Sequence, residues 1–264
     1  MIPRQGNFVQ HEKKTTEARR HREEDLGRLS ELPFELLRVS VPLWFVRFVY
    51  GSAGQEGLCD MDIKNIESYT RITFDVDGPL VSNFFLLLQQ GVTIRSHTGC
   101  SVATFLREEI GAGSETIEKI QSVILDGSPV DDLESAVIKD GSVLALSAAM
   151  PGLVGATLRR GGTYSSFRSA ITYRDTGQEC VKGEGLVLIK IFNLLMVELG
   201  PGLLQRGVFI SSEDFIRFAA GQFQDFWQRC RRITLDGKPL VSGELPDSAL
   251  LSGKRQVFLS VSSD

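Results

Sequence analysis

The chain has 264 residues, of which 42% are apolar, 8% aromatic and 23% charged, and its 29 basic and 33 acidic side chains leave a net charge of -4. That length holds one or two domains with ample core, and the composition excludes wholesale disorder, collagen and coiled coil. A mildly acidic chain has no general attraction for a phosphate backbone, so no nucleic-acid partner is expected.

Cys59, Cys100, Cys180 and Cys230 are far apart and form no C-x-x-C pair, so a zinc knuckle or a redox site lacks its spacing. No metal and no cofactor is expected, and free thiols suit a cytoplasmic setting. The first residues, MIPRQGN, lack the apolar core of a secretory signal. The most apolar runs, residues 41–50 and 84–88, fall well short of the roughly 20 residues that span a bilayer, so no membrane partner is expected.

In chain order, residues 11–25 (HEKKTTEARRHREED) have almost nothing to bury and predict a solvated helix or tail. Residues 29–37 (LSELPFELL) alternate apolar and acidic side chains at near-helical spacing, with Ser30 suited to an N-cap and Pro33 to the first turn. Residues 41–50 (VPLWFVRFVY) are β-branched and aromatic and predict a strand opening the folded part. Gly51, Gly54 and Gly57 follow without a G-x-x-x-x-G-K-[ST] pattern, which marks a hairpin loop in place of a phosphate loop.

The chain then repeats itself. Residues 87–92 (LLQQGV) return as 203–208 (LLQRGV), and each motif precedes a short alternating strand, a helical pattern and an Asp-Gly turn, at Asp126-Gly127 and Asp236-Gly237. First strands are predicted over 71–76 and 187–192, second strands over 92–96 and 208–211, and closing strands over 142–147 and 256–260. An insertion separates the first two strands in both copies. One helix carries Val102, Phe105, Leu106 and Ile110 on a stripe; the other carries Phe215, Phe218, Ala219, Phe223, Phe226 and Trp227. Tyr50 and Tyr173 each lead to Gly-Gln-Glu, which extends the repeat upstream.

This order of elements resembles the β-grasp fold of ubiquitin and of the sulfur carriers of molybdopterin and thiamine biosynthesis, over residues 70–150 and again 186–262. The resemblance implies an α+β chain of two β-grasp (ubiquitin-like) domains related by internal duplication, each a mixed sheet with one main helix. The expected organisation is a charged arm and short helix over 1–40, a first domain over 41–152, a Gly/Arg linker over 153–170 and a second domain over 171–264. Residues 158–162 (LRRGG) resemble the tail of ubiquitin, so Arg159, Arg160, Gly161 and Gly162 are the candidate carrier tail. Glycines without a Cβ thread a narrow channel; the alternative is that Gly161-Gly162 punctuates a linker whose arginines are solvated.

Other residues are weighed for chemistry. His97 and Cys100 form a weak nucleophile pair, outweighed by a helix-entry polar residue beside a half-buried thiol. Asp131, Asp132 and Glu134 sit in a turn-rich connection where carboxylates cap and solvate. Arg229, Arg231 and Arg232 close the second helix and suit its macrodipole. Phe226 and Trp227, at the end of that helix, are the candidate partner surface. The expected function is a non-enzymatic protein–protein interaction module whose sheet faces or edges meet a protein partner. The alternative is a sulfur-carrier or protein-modifier precursor, processed after Gly162 and activated by an adenylating enzyme.

Overall fold

A computed structural model describes residues 69–175, 181–240 and 256–263. The segments expected over 1–40 and 41–50, the glycine loop after Tyr50, Cys59 and Cys180 lie outside the described residues. Copy one runs through β1 (Tyr69–Val76), a 3-10 helix (Gly78–Phe84) continuing into α1 (Phe85–Gln90), β2 (Val92–Thr98), β3 (Cys100–Ser101), α2 (Val102–Glu108) and α3 (Ser114–Lys119). It finishes with β4 (Ser122–Leu125), β5 (Ser128–Pro129), β6 (Val137–Ile138) and β7 (Val143–Ser147). Then α4 (Gly152–Leu158) and a second 3-10 helix (Ser165–Arg168) lead to copy two. That copy comprises β8 (Gly183–Phe192), α5 (Leu195–Arg206), β9 (Val208–Ser211), α6 (Ser212–Ala220), α7 (Gln224–Arg229), β10 (Cys230–Leu235), β11 (Lys238–Pro239) and β12 (Gln256–Ser263).

Local chemistry explains the elements. Period-two alternation in β1 and β12 buries Ile72, Phe74 and Val76, and Val257, Leu259 and Val261, on one face. Ser101 and Ser211 each accept a backbone N–H three residues on and cap α2 and α6. Asp126 and Asp236 have φ of 50° and 48°, each followed by a glycine at 81°, as a two-residue hairpin turn of this twist requires. The repeated motif forms the last turn of α1 and α5, where Gly91 and Gly207 stop the helix at φ 120° and 97° and donate to the carbonyls of Leu87 and Leu203. At Gly207 a Cβ would also overlap the Phe258 ring.

All strands but β3 and β6 join one ten-stranded mixed sheet, ordered β11-β10-β1-β12-β9-β2-β8-β7-β4-β5. The strands do not segregate by copy. β8, from copy two, lies between β2 and β7 of copy one, antiparallel to the former and parallel to the latter. β1, from copy one, lies between β12 and β10 of copy two, parallel to the first and antiparallel to the second. The five-strand runs β2-β8-β7-β4-β5 and β9-β12-β1-β10-β11 therefore share one pattern of strand directions. They also share register. Asp126 exchanges backbone and side-chain hydrogen bonds with Val143 of β7, at 2.9 and 2.7 Å, and Asp236 makes the same pair with Arg71 of β1, at 2.8 Å each. The runs meet where β2 and β9 pair at Thr93 and Phe209.

Packing follows this exchange. Phe74 of β1 and Phe84 of the first 3-10 helix sit among Phe215, Phe218 and Phe226 of copy two, with ring centroids 4.9–6.4 Å apart. Each such ring contributes about 1.5–3 kcal/mol by burial. Polar contacts cross in the same sense: Asp77 accepts from Arg231 at 3.0 Å, and Asn83 donates to Gln222 at 3.0 Å. In the other run Val187, Ile189 and Ile191 of β8 are fully buried, and Lys119 of α3 meets Glu198 of α5 at 2.7 Å. The insertions between first and second strands are thus helical crossovers, which carry the chain from one run to the other. They cross where Gly200 meets Phe85 and Leu88, with no room for a Cβ.

One expectation needs correction. The long helix of copy two is two helices, broken at Gly221, so the stripe does not run through: Phe223 is 85% exposed. The outermost strands, β5 and β11, are two residues long and each ends in proline, which has no N–H to offer a partner strand.

Gly207→Ala is expected to cost about 1–3 kcal/mol, because the ring it meets lies in a filled site. Gly237→Ala, in an open turn with nothing near its Cβ, is expected to cost about 1 kcal/mol from backbone strain alone. Urea unfolding of both variants checks this; equal losses would assign no role to the Phe258 contact.

Candidate functional site

Residues 153–170 were expected as a Gly/Arg linker, and the structure shows a folded strap over residues 151–175. Arg168 is 4% exposed and all five of its N–H groups find acceptors. Nη2 and Nη1 fork onto Asp131 at 2.6 and 3.1 Å; Nε donates to the Thr157 carbonyl at 2.7 Å, Nη1 to the Thr172 hydroxyl at 2.9 Å, and Nη2 to the Arg159 carbonyl at 3.3 Å. A charge removed from water is tolerated only with such full pairing. One guanidinium thus clamps α4, the turn after it, the second 3-10 helix and the connection after β5.

The four residues of the candidate carrier tail lie in that turn. Arg160 N–H donates to the Gln121 carbonyl at 2.7 Å, and the Arg159 guanidinium donates to the Gln121 side chain at 2.5 Å. Gly161, at φ 60°, donates its N–H to Asp131 at 3.1 Å, and Gly162 donates to the Arg159 carbonyl at 3.2 Å. Partial burial lowers the Arg160 proton affinity, and the Asp131 charge works against that. Downstream, Tyr173 donates its backbone N–H to the Pro129 carbonyl at 2.8 Å, which fastens the strap to the β5 edge.

The strap has an apolar outer face. Arg168, one of its four arginines, points inward while Leu153, Tyr164, Phe167 and Ile171 point out, 67%, 46%, 59% and 46% exposed. Tyr164 and Phe167 stack with centroids 6.0 Å apart. By contrast, Phe226 and Trp227, expected at a partner surface, are buried and half-buried. Phe226 is 3% exposed and packs edge-on against Phe218 and Trp227, so it presents nothing to a partner; Trp227 is half-buried and faces Phe74.

The remaining candidates resolve into structural roles. His97 Nδ1 lies 2.9 Å from Glu109, which also receives Arg206 at 3.1 Å. Partial burial pushes the Glu109 carboxyl up, but hydrogen bonds from His97 and Arg206 prevail and hold it below the usual carboxylate range. The Cys100 thiol points at the His97 carbonyl, and burial, then the Glu109 charge, pushes it up, away from thiolate character. Asp132 caps the Glu134 N–H at 3.0 Å, and Glu134 pairs with Arg107. Among the described residues no group of His, Cys, Asp and Glu is arranged to hold a metal ion, and no helix is long and apolar enough to cross a membrane.

Sequence reasoning missed the pairing of Arg168 with Asp131 because 37 residues separate them. The outward apolar trio was legible as Tyr164, Phe167 and Ile171 at helical spacing, once a folded strap is granted.

Asp131→Asn is expected to cost about 2 kcal/mol by leaving a buried guanidinium short of its counter-charge. It should also open the strap to limited proteolysis, with Asp132→Asn as the near-neutral control. Burial pushes the Cys230 thiol up to about 11, so native protein should leave Cys230 unalkylated by iodoacetamide at pH 8, with reaction on unfolding. A raised folded pKa stabilises fully below the unfolded thiol value of about 8.5. That contribution should fade as pH rises from there towards 11, read as a narrowing stability gap between wild type and Cys230→Ala.

Compared with known proteins, the chain matches no family model, no curated protein and no solved structure.

Proposed function

We propose that the chain is a non-enzymatic protein–protein interaction module, built from two ubiquitin-like repeats that have exchanged strands, and that its docking surface is the outer face of the strap. The observation that carries this reading is the apolar outer face: an ordered segment anchored by buried Arg168 turns Leu153, Tyr164, Phe167 and Ile171 to solvent. Ordering a backbone costs about 1–2 kcal/mol per residue, and exposing large apolar groups on it returns nothing until something covers them. Pre-organised aromatic groups on a rigid support are what a partner uses best. The ubiquitin-like assignment is supported by the strand-direction pattern shared by the two runs, in which first and closing strands trade places (β8-β7 in one, β12-β1 in the other), and by a helix in each copy between second and third strands.

What favours this reading over a processed carrier is topology. Release of residues 163–264 after cleavage at Gly162 would remove β8 from between β2 and β7, leaving a strand-wide gap in the run that copy one dominates. A tail held in a turn by Gln121 and Asp131 is also not extended for entry into an adenylating enzyme.

Affinity capture from native cells with full-length protein tests the reading. A partner retained by wild type should be lost by Tyr164→Ser/Phe167→Ser and kept by Leu194→Ser/Val197→Ser, which alters an exposed apolar pair on the α5 side. Identical recovery with all three proteins would overturn it.

A further inference from the structure

The strap carries a charge bias as well as an apolar face. Residues 151–175 contain four arginines and one acidic residue, Asp175, in a chain whose net charge is -4. Arg168 is committed to Asp131. Arg159 and Arg174 spend their guanidiniums on neutral acceptors, the Gln121 side chain and the Ser169 carbonyl. Among the described residues neither has an ion-pair partner, and both are exposed, one before the Tyr164–Phe167 stack in the chain and one after it. Half-buried Arg160 adds a third positive charge beside the turn. Guanidinium groups are weakly hydrated and present a planar fork to carboxylates, so exposed arginines that flank an aromatic pair along the strap suit an acidic, apolar ligand.

Resting on the strap as the docking surface, we infer that its occupant is a short acidic segment of a partner protein, with leucine or phenylalanine side chains covering Tyr164, Phe167 and Ile171 and carboxylates reaching Arg159 and Arg174. The rings supply the buried centre; the arginines form a polar rim that sets orientation, steers encounter and rejects basic sequences. Pre-organisation by Arg168 means that the strap need not fold on binding, so affinity reads directly on the outward groups.

Selection of a phage-displayed library of random linear peptides on the full-length protein tests this, with Tyr164→Ser/Phe167→Ser as the counter-selection target. These side chains are exposed, and unchanged thermal unfolding confirms that the variant folds. Enriched sequences should combine Leu or Phe with Asp or Glu and bind wild type about tenfold or more tightly than the double variant. Arg159→Gln/Arg174→Gln should weaken them and remove most of their salt dependence. Basic or uncharged winners, or no sequence that distinguishes wild type from the double variant, would overturn the inference. Strap-dependent capture of a cellular partner alongside basic winners would sink the acidic occupant alone, whereas no strap-dependent capture would sink the docking surface itself.

Discussion

Each five-strand run of the sheet contains a strand that the opposite repeat supplies, and most other features follow from that constraint. β1 enters copy two between β12 and β10, and β8 enters copy one between β2 and β7. Central strands carry the largest apolar faces, so the exchange puts Phe74 into one half of the core and Val187, Ile189 and Ile191 into the other. The helical crossovers are required by it, because a tight turn returns a strand to its own neighbour and cannot reach across the sheet. Glycine is required too: Gly200 lets the crossovers approach, and Gly207 lets the chain leave α5 beneath Phe258. Cooperativity is the energetic consequence, since loosening either donated strand disrupts both halves.

Against that interlocked sheet the strap is a local structure with its own anchor. A single buried guanidinium organises it, and charge–charge and hydrogen-bond terms substitute for the apolar core that the strap turns outward. The arrangement links the stability of the strap to what it exposes. A strap held by packing would have had to bury Tyr164 and Phe167; one held by Arg168 leaves them ordered on the surface, where the proposed docking face lies. Glu109 plays a comparable part elsewhere, joining β2 through His97 to the end of α5 through Arg206. Its depressed pKa makes that link fully stabilising above the ordinary carboxylate range and weaker as pH falls through it.

Local features were legible in the sequence and partnerships were not. The Asp-Gly dipeptides declared both hairpins, the LLQ-x-GV motif marked equivalent positions in the two copies, and alternation in β1 and β12 gave the buried face. Periodicity specifies which side of a strand is apolar, yet β1 would bury Phe74 equally well beside its own repeat or the other. Exchange is therefore invisible to it. The same limit explains Arg168, whose residue type and glycine-rich surroundings suggested a solvated linker until Asp131, distant in sequence, was placed beside it. Phe226 was singled out for its place at the end of a helical stripe, but the break at Gly221 turns that end back into the core and leaves Phe223 outside.

The most direct test of strand exchange is a disulfide across the β1–β10 pair, where Thr73 faces Thr234 in register. Thr73→Cys/Thr234→Cys, oxidised under native conditions and mapped by peptide mass spectrometry, should yield a cross-link between positions 73 and 234 in monomeric protein. Native, oxidised monomer with both thiols free would place β1 elsewhere in the sheet and contradict the exchange.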